Sequence, residues 1–253
     1  MKFARFKNDG QIRTGLLEGS RLKEITGDLF TEWSFTGNDY PVEEVSFTAP
    51  LEPNQIIGIG ANYVASKEDV PEKLPDIPVF FFKPVSSVIG PEEDIIIPRG
   101  INQVKFESEL AVVIGKPAKD IAEENVFDYV FGYTIGNDVT APQFFHEAGH
   151  WTVGKSFDTF TPLGPVIETD LDPPKVSVKA CLNGEEKQNS HTSLMIVPIA
   201  AMISYLSRVM TLMPGDVILT GSPLGAEMVN EGDRIECAID GIGALANQFV
   251  LQG

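Results

Sequence analysis

The feature that most constrains the fold of this 253-residue chain is how little of it has helical periodicity. Apolar residues recur at helical spacing in only two segments, residues 121–130, with Asp120 as a candidate N-cap, and residues 198–210. Elsewhere short apolar runs are separated by turns, for which 23 glycines and 18 prolines are available. Residues 175–182, for example, alternate in polarity and end at an Asn-Gly pair, a strong hairpin signal. The pattern predicts a mainly β (α+β) fold with few short helices.

The predicted strands divide into two groups along the chain. N-terminal strands are predicted at residues 2–6, 12–17 and 22–25. Residues 49–53, A-P-L-E-P, have the composition of a short linker. We therefore predict a small N-terminal β domain over residues 1–50 and a larger domain over residues 51–253.

The charge of the chain disfavours two classes of partner. Nineteen basic and 36 acidic residues give a net charge of −17, which repels nucleic acid and anionic membranes. No apolar run approaches the roughly 20 residues of a transmembrane helix, the first residues lack a signal-peptide core, and the two cysteines suggest no disulfide framework. We expect a cytoplasmic protein in which any anionic ligand depends on local positive charge.

Three carboxylates are candidates for one metal site. Residues 105–114 are predicted to form a strand, and strand side chains alternate, so Glu107 and Glu109 face the same side. Asp138 ends the next predicted strand. Neighbouring buried carboxylates repel each other unless a cation neutralises them, and oxygen ligands alone favour Mg²⁺, with Mn²⁺ or Ca²⁺ as alternatives. An exposed acid pair on a solvated sheet face is the competing interpretation.

Several short motifs follow one another along the larger domain. They are G-I-G-A-N-Y (58–63), P-V-F-F-F-K-P (78–84), F-E-S-E-L (106–110), G-K-S-F (154–157), L-N-G-E (182–185) and P-G-D-V-I-L-T-G-S-P (214–223). In order and spacing they resemble the fumarylacetoacetate hydrolase superfamily. The resemblance implies a β-sandwich roll around a metal held by Glu107, Glu109 and Asp138, an active-site Lys155, and small 2-oxo or 2,4-dioxo acids as substrates. It also implies at least a homodimer.

Further polar residues are candidates for contacts with a substrate. A lysine such as Lys155, beside a chelated oxo acid, holds its carboxylate or stabilises a developing enolate, although a surface lysine is the simpler interpretation without the resemblance. Thr220 and Ser222 follow a predicted strand, where small hydroxyls suit a bound carboxylate, but a plain turn explains them nearly as well. Lys83 is a weaker candidate for substrate binding, because its position after three phenylalanines is more often structural.

Residues 146–150, H-E-A-G-H, match the zinc-protease motif H-E-x-x-H. We predict that His146 and His150 do not bind zinc, because Gly149 weakens a helix and no third ligand stands in a recognisable context. In the family this segment belongs to a loop over the active site. His146 and Glu147 are therefore candidate catalytic residues on a covering loop, residues 142–152.

Two departures from the family pattern bear on the reaction. Hydrolytic members carry a His and a Glu that activate water, where this chain has Ser66 and Asp69. The family's Arg, Asp and Gln after the Asn-Asp motif are also replaced, by Pro142, Gln143 and Phe145. Hydrolysis needs a general base near a water, whereas decarboxylation or enolisation of a 2-oxo acid depends chiefly on the metal.

The sequence therefore predicts a metal-dependent enzyme that cleaves a C–C bond in a small 2-oxo acid, as an acylpyruvate hydrolase or an oxaloacetate-type decarboxylase. The first alternative is an isomerase or tautomerase of the 5-carboxymethyl-2-hydroxymuconate type. The second is a binder of metal and oxo acid that has lost turnover. The retained Lys155 and three acids disfavour a mere binder.

Overall fold

The computed structural model describes residues 1–147 and 149–253, which form 17 strands, one α-helix and several short 3₁₀ helices. The first strands are β1 Lys2–Asn8, β2 Gln11–Glu18, β3 Arg21–Gly27, β4 Trp33–Pro41, β5 Ser46–Phe47, β6 Ile56–Ile59, β7 Phe80–Lys83, β8 Val88–Ile89 and β9 Ile95–Ile97. The later strands are β10 Ser108–Ile114, β11 Val130–Asn137, β12 Thr161–Glu168, β13 Ser177–Leu182, β14 Glu185–His191, β15 Val217–Leu219, β16 Arg234–Ile239 and β17 Gly243–Leu251.

The helices are short and lie between the strands. The α-helix, α1, spans Ile199–Val209. The 3₁₀ helices are Val42–Glu44, Lys67–Asp69, Val85–Ser87, Glu123–Asp128, Pro142–Phe144, Val153–Lys155, Pro173–Lys175 and Thr192–Leu194. Within the described ranges, no helix combines the length and apolarity needed to span a membrane.

The larger sheet carries the strands that position the acidic residues. Its described part has 12 strands in the order β4-β3-β2-β1-β12-β11-β10-β15-β6-β7, with β5 beside β1 and β8 beside β12. All seven residues of β10 are buried, and after Ser108 and Glu109 the strand is entirely apolar. A strand covered on both faces must be apolar along its middle. The polar groups of β10 are therefore confined to its first residues.

Strands β1–β4 extend this sheet. β1 pairs antiparallel with β12, with Phe3 opposite Ile167, and Phe6 and Leu22 belong to the same buried cluster as Val112 of β10. The N-terminal strands thus share both a sheet and a core with the rest of the chain. The domain boundary at residue 50 stays a prediction.

The smaller sheet completes a sandwich. Its order is β14-β13-β16-β17-β9, and β13, β16 and β17 pack against β10, β11 and β12 of the larger sheet. The predicted hairpin is present, since β13 and β14 meet at Asn183 and Gly184, both with positive φ (52° and 81°) as a tight hairpin turn requires. The mainly β fold is confirmed.

Of the two predicted helical segments, one forms an α-helix and the other a shorter 3₁₀ helix. α1 lies within residues 198–210, and Met202, Ile203 and Leu206 are fully buried on its packed side. The segment 121–130 instead forms only the 3₁₀ helix Glu123–Asp128, and Asp120, at a φ of 51°, does not cap it. Val130 already pairs with Ile114 as the first residue of β11. The helical segment therefore ends before the sheet begins.

Candidate metal centre and active site

The three predicted metal ligands meet at the start of β10 and the end of β11. Ser108 lies opposite Asn137, so the residues just outside this pair, Glu107 and Asp138, are neighbours. The backbone N–H of Asp138 donates to the carbonyl oxygen of Glu107 at 2.9 Å, and the N–H of Glu107 donates to Asn137 Oδ1 at 2.9 Å. One carboxylate oxygen from each of Glu107, Glu109 and Asp138 lies within 4.8 Å of the other two.

Three lysines accompany the three carboxylates. Lys155 Nζ donates to Glu107 Oε2 at 2.7 Å and also to Asp138 Oδ2. Lys83 Nζ donates to Asp138 Oδ1 at 2.6 Å, and Lys105 Nζ lies 2.5 Å from Glu107 Oε1. Lys83 and Lys155 are buried, whereas 26% of the Lys105 side chain is exposed. Only Lys105 therefore combines a contact to the acids with access to solvent.

Burial and charge act in opposite directions on these groups. Burial disfavours ionised Asp138, but the charges of Lys155 and Lys83 outweigh it and hold the pKa of this carboxyl below its usual range. Burial also opposes the ammonium of Lys155, but Asp138 and Glu107 raise its pKa above the ordinary value. For Lys83 burial prevails over Asp138, and its pKa is lowered. Lys155 therefore holds its proton firmly at neutral pH.

Glu109 gives the clearest indication of a cation. It is 2% exposed, and its hydrogen bond in the described part of the chain comes from the backbone N–H of Gly221 at 2.7 Å, without an ion pair. Burial, followed by repulsion from Asp138 and Glu107, raises the pKa of Glu109 well above its usual range. A buried carboxylate beside two others is costly unless a cation neutralises it. Three hard oxygen donors this close together fit Mg²⁺ or Mn²⁺.

The loop after β15 is shaped so that the backbone N–H of Gly221 reaches Glu109. Gly221 has a φ of +99°, and a Cβ there would lie 2.5 Å from Asn62 Cβ. The Asn62 side chain donates to the carbonyl oxygens of Thr220 at 2.7 Å and Val197 at 3.1 Å. A glycine at position 221 is therefore required for both the turn and the contact.

A cavity of about 360 Å³ opens beside the acids, under aromatic side chains. Phe145 and Trp151 stack with ring centroids 5.3 Å apart, and Phe81 lies 5.8 Å from Trp151. Gly60 allows this packing, since a Cβ there would lie 2.0 Å from the Trp151 ring. The titratable groups among the described lining residues are Lys105, Glu107, Glu109, Asp138 and Lys155. A lining that combines bulky aromatic groups with charged groups suits a small anion shielded from water.

The cavity includes some predicted site residues and not others. Those that line it are Glu107, Glu109, Asp138, Lys155 and Ser222. Thr220 is fully buried, and its hydroxyl donates to the carbonyl oxygen of Leu110 at 2.8 Å. Lys83 is also absent from the lining and contacts Asp138. The substrate-binding roles of these two residues stay predictions, and the structure gives each a contact within the protein instead.

The histidine motif lies away from the cavity lining. His146 and Glu147 are exposed, and the rings of His146 and His150 stack with centroids 4.4 Å apart. The described residues of this motif form no helix, so they do not present two imidazoles on one helix face. Ala148, within both the motif and the predicted covering loop, lies outside the described residues. Phe145 and Trp151 of the same loop do line the cavity.

The positions of the expected water-activating pair do not line the cavity either. Ser66 Oγ donates to Asp69 Oδ2 at 2.9 Å in an exposed loop. Neither residue is among the described lining residues of the cavity. The loop around the 3₁₀ helix Lys67–Asp69 therefore brings no base to the carboxylates in this conformation.

Lys105 is a site residue that the sequence analysis missed. It lines the cavity and contacts Glu107. The signal was available, because residues 105, 107 and 109 alternate with 106 and 108 and therefore share one face of the predicted strand 105–114. In the structure β10 begins only at Ser108, and Lys105 forms a separate bridge to Thr140. The rule that grouped the two glutamates also includes this lysine.

Both parts of the chain match known protein families. Residues 55–250 match the model described as fumarylacetoacetate (FAA) hydrolase C-terminal, and residues 1–50 match the model described as Rv2993c-like, N-terminal. The mitochondrial oxaloacetate tautomerase fahd2 of Xenopus laevis is 41% identical over 221 residues, which are 81% of this chain and 69% of that protein.

Solved structures are similar over the whole chain. The 5-carboxymethyl-2-hydroxymuconate delta-isomerase from Mycobacterium smegmatis is 39% identical, with a TM-score of 0.93. The maleylpyruvate hydrolase from Sphingobium sp. SYK-6, in complex with manganese(II) ion and pyruvate, is 31% identical, with a TM-score of 0.84. Each superposition covers 100% of both chains.

Proposed function

The chain belongs to the fumarylacetoacetate hydrolase family, and we propose that it is a divalent-metal-dependent enzyme that acts on a small 2-oxo acid by forming its enolate. The reactions that we place first are decarboxylation of an oxaloacetate-type acid and keto–enol conversion of such an acid. The similarity to an oxaloacetate tautomerase supports the second. Both reactions place negative charge on C3 and the 2-oxo oxygen of the substrate.

The observation that carries this proposal is the set of ionisable groups at the cavity. Its described lining residues include three carboxylates and two lysines, but no His, Cys or Tyr. The carboxylates are the candidate metal ligands, and Lys155 is held protonated by two of them. Hydrolytic cleavage needs a free general base beside a water. Loss of carbon dioxide from an oxaloacetate-type acid, or release of an enol O–H proton to solvent, forms the enolate without that base.

Each side chain of the site has a role in such a reaction. Glu107, Glu109 and Asp138 would hold the cation, with Mg²⁺ as the first expectation. A bound divalent cation supplies Lewis acidity to the oxygens of a 2-oxo acid. Lys155 Nζ holds the proton that C3 accepts, after carbon dioxide has left in decarboxylation, or as the enol oxygen releases its own proton to solvent water in tautomerisation. In both reactions Lys155 regains a proton from solvent. Phe145 and Trp151 exclude water from the developing charge.

Acylpyruvate hydrolysis is the second candidate. The similarity to a maleylpyruvate hydrolase favours it. Phe145 and Trp151 already reach the cavity, and His146 lies on the same loop. A different loop conformation would bring an imidazole to the site as the base for water.

The proposal is tested with oxaloacetate in Mg²⁺ buffer, by following enol absorbance and pyruvate release together. We expect metal-dependent loss of the enol signal above the uncatalysed rate, abolished by a chelator and restored by added metal. Pyruvate released in step with that loss assigns decarboxylation, whereas enol loss without pyruvate assigns tautomerisation. Rates equal to the uncatalysed ones, with Mg²⁺ or Mn²⁺, would refute the proposal.

A further inference from the structure

Lys105 is held in a fixed position at the mouth of the acid site. Its backbone N–H donates to the carbonyl oxygen of Thr140 at 2.9 Å, and its own carbonyl oxygen accepts from the Thr140 N–H at 3.0 Å. A second bridge pairs Lys105 with Met228 on its other side. Because the backbone of Lys105 is paired on both sides, its side chain projects from the same face as those of Glu107 and Glu109. The backbone pairing of Lys105 therefore directs its side chain toward the cavity.

The ammonium of Lys105 has N–H donors beyond the one that its ion pair uses. In the described part of the chain its ion-pair partner is Glu107 Oε1, at 2.5 Å. An ammonium carries three N–H donors, so this contact leaves two of them for another acceptor. The side chain is 26% exposed and lines the cavity. Lys155, in contrast, is buried and contacts two carboxylates.

The charges of the site favour a doubly negative ligand. Three carboxylates lie against three lysines, which are Lys83, Lys105 and Lys155, so their formal charges balance. When a divalent cation binds, the site carries an excess of two positive charges. A dianion cancels this excess, whereas a monoanion leaves one positive charge. Since the net charge of the chain is −17, a dianion gains nothing from the long-range field. Local charge must provide its affinity.

We propose that Lys105 determines substrate specificity, by binding the terminal carboxylate of a 2-oxo dicarboxylate whose 2-oxo acid end faces the three carboxylates. Lys105 and the cation site share the Glu107 carboxylate, so the two anchoring points lie close together. This closeness favours a short diacid. The inference rests on the proposed function for the location of the 2-oxo acid end, but it concerns binding and can be tested without turnover.

The test compares two unreactive four-carbon ligands, malate and 2-hydroxybutyrate, which differ by a terminal carboxylate in place of a methyl group. Their binding to the Mn²⁺-loaded protein is measured by calorimetry for the natural chain and for Lys105→Met, Lys105→Arg and Lys116→Met. Lys116 is exposed just beyond the far end of β10 and controls for the lost charge. Mn²⁺ affinity and thermal stability are measured for each variant.

We expect the natural chain to bind malate about 10- to 100-fold more tightly than 2-hydroxybutyrate, since a hydrogen bond to a charged group contributes roughly 1.5–3 kcal/mol. Lys105→Met should remove most of this preference by weakening malate alone. Lys105→Arg should restore much of it, and Lys116→Met should leave it unchanged.

Two results would overturn the inference. If Lys105→Met weakens both ligands equally and lowers Mn²⁺ affinity, Lys105 only positions Glu107. If the variant retains the preference for malate, another group binds the terminal carboxylate. Failure of the reaction is a separate outcome, because malate preference without turnover of oxaloacetate would refute the enzyme proposal and leave the role of Lys105 intact.

Discussion

The strand ends that carry the acids and the loops around the cavity hold their polar groups in different ways. Glu107 and Asp138 are tied by backbone hydrogen bonds between adjacent strand ends and are 8% and 1% exposed. Ser66, Asp69 and His146 lie on loops outside the described cavity lining. The strand ends therefore provide a preorganised charged site, whereas the loops contribute aromatic cover. The proposed reaction therefore relies on the acids at the strand ends and the lysines that contact them.

The largest effect should follow from removing the acid without an ion pair. Glu109→Ala should lower metal-dependent activity by about 1,000-fold or more, because loss of a ligand removes several kcal/mol of metal binding and catalysis. The fold should remain, because the variant also removes a buried, uncompensated charge. Mn²⁺ titration and thermal unfolding with chelator measure the two effects, with the exposed Glu124→Ala as control. Full Mn²⁺ affinity in Glu109→Ala would contradict the ligand assignment.

The next effect concerns the proton held by Lys155. Lys155→Met should lower kcat for oxaloacetate by about 100- to 10,000-fold, the usual contribution of a positioned acid. Mn²⁺ should bind at least as tightly, because the ammonium shares the oxygens of Glu107 and Asp138. Steady-state kinetics and Mn²⁺ titration separate the two, with Lys116→Met as control. A normal kcat with a raised KM would show that Lys155 binds substrate without transferring a proton.

A smaller effect, on stability, should distinguish Lys83 from Lys155. Lys83 is buried against Asp138 and does not line the cavity. Lys83→Met should lower the free energy of unfolding by roughly 3 kcal/mol, as for other broken buried ion pairs, and Lys83→Arg should recover part of it. Urea denaturation of the metal-free protein gives the values. Unchanged stability with weaker substrate binding would favour the substrate-binding role predicted from sequence.

The smallest effect should come from the loop histidines. His146→Ala and His150→Ala should each change kcat/KM for oxaloacetate by less than about twofold, as for exposed residues outside a site. Zinc content should also be unaffected. Stoichiometric zinc that disappears in the double variant would restore the protease interpretation of the motif.

The sequence predicted the fold and the acids because both depend on local rules. Alternation along residues 105–114 places Glu107 and Glu109 on one face, and the Asn-Gly pair ends β13 at the hairpin to β14. The same alternation includes Lys105. The segment 121–130, which forms a 3₁₀ helix over Glu123–Asp128 only, is different in kind. Its periodicity is real, but pairing of Val130 with Ile114 depends on the sheet and cannot be read from the segment itself.

Two of the predicted site residues, Thr220 and Lys83, make contacts within the protein that no local pattern predicts. Thr220 lies among small residues after β15, yet its hydroxyl donates a hydrogen bond to the carbonyl oxygen of Leu110, which is 110 residues away in sequence. Lys83 contacts Asp138 across 55 residues. Such long-range contacts decide whether a polar side chain faces the cavity or the core. The local sequence pattern around a residue does not reveal them.

We propose that the acids at the strand ends, together with the lysines that contact them, suffice for the reaction without a base from the loops. This proposal is tested most directly by kcat/KM for oxaloacetate and for acetylpyruvate, measured on the same Mg²⁺-loaded protein. Because a general base contributes about 100- to 10,000-fold to hydrolysis, the account predicts that oxaloacetate is preferred by at least about 100-fold. A strong preference for hydrolysis of acetylpyruvate, lost in His146→Ala, would contradict it and show that the loop supplies the base.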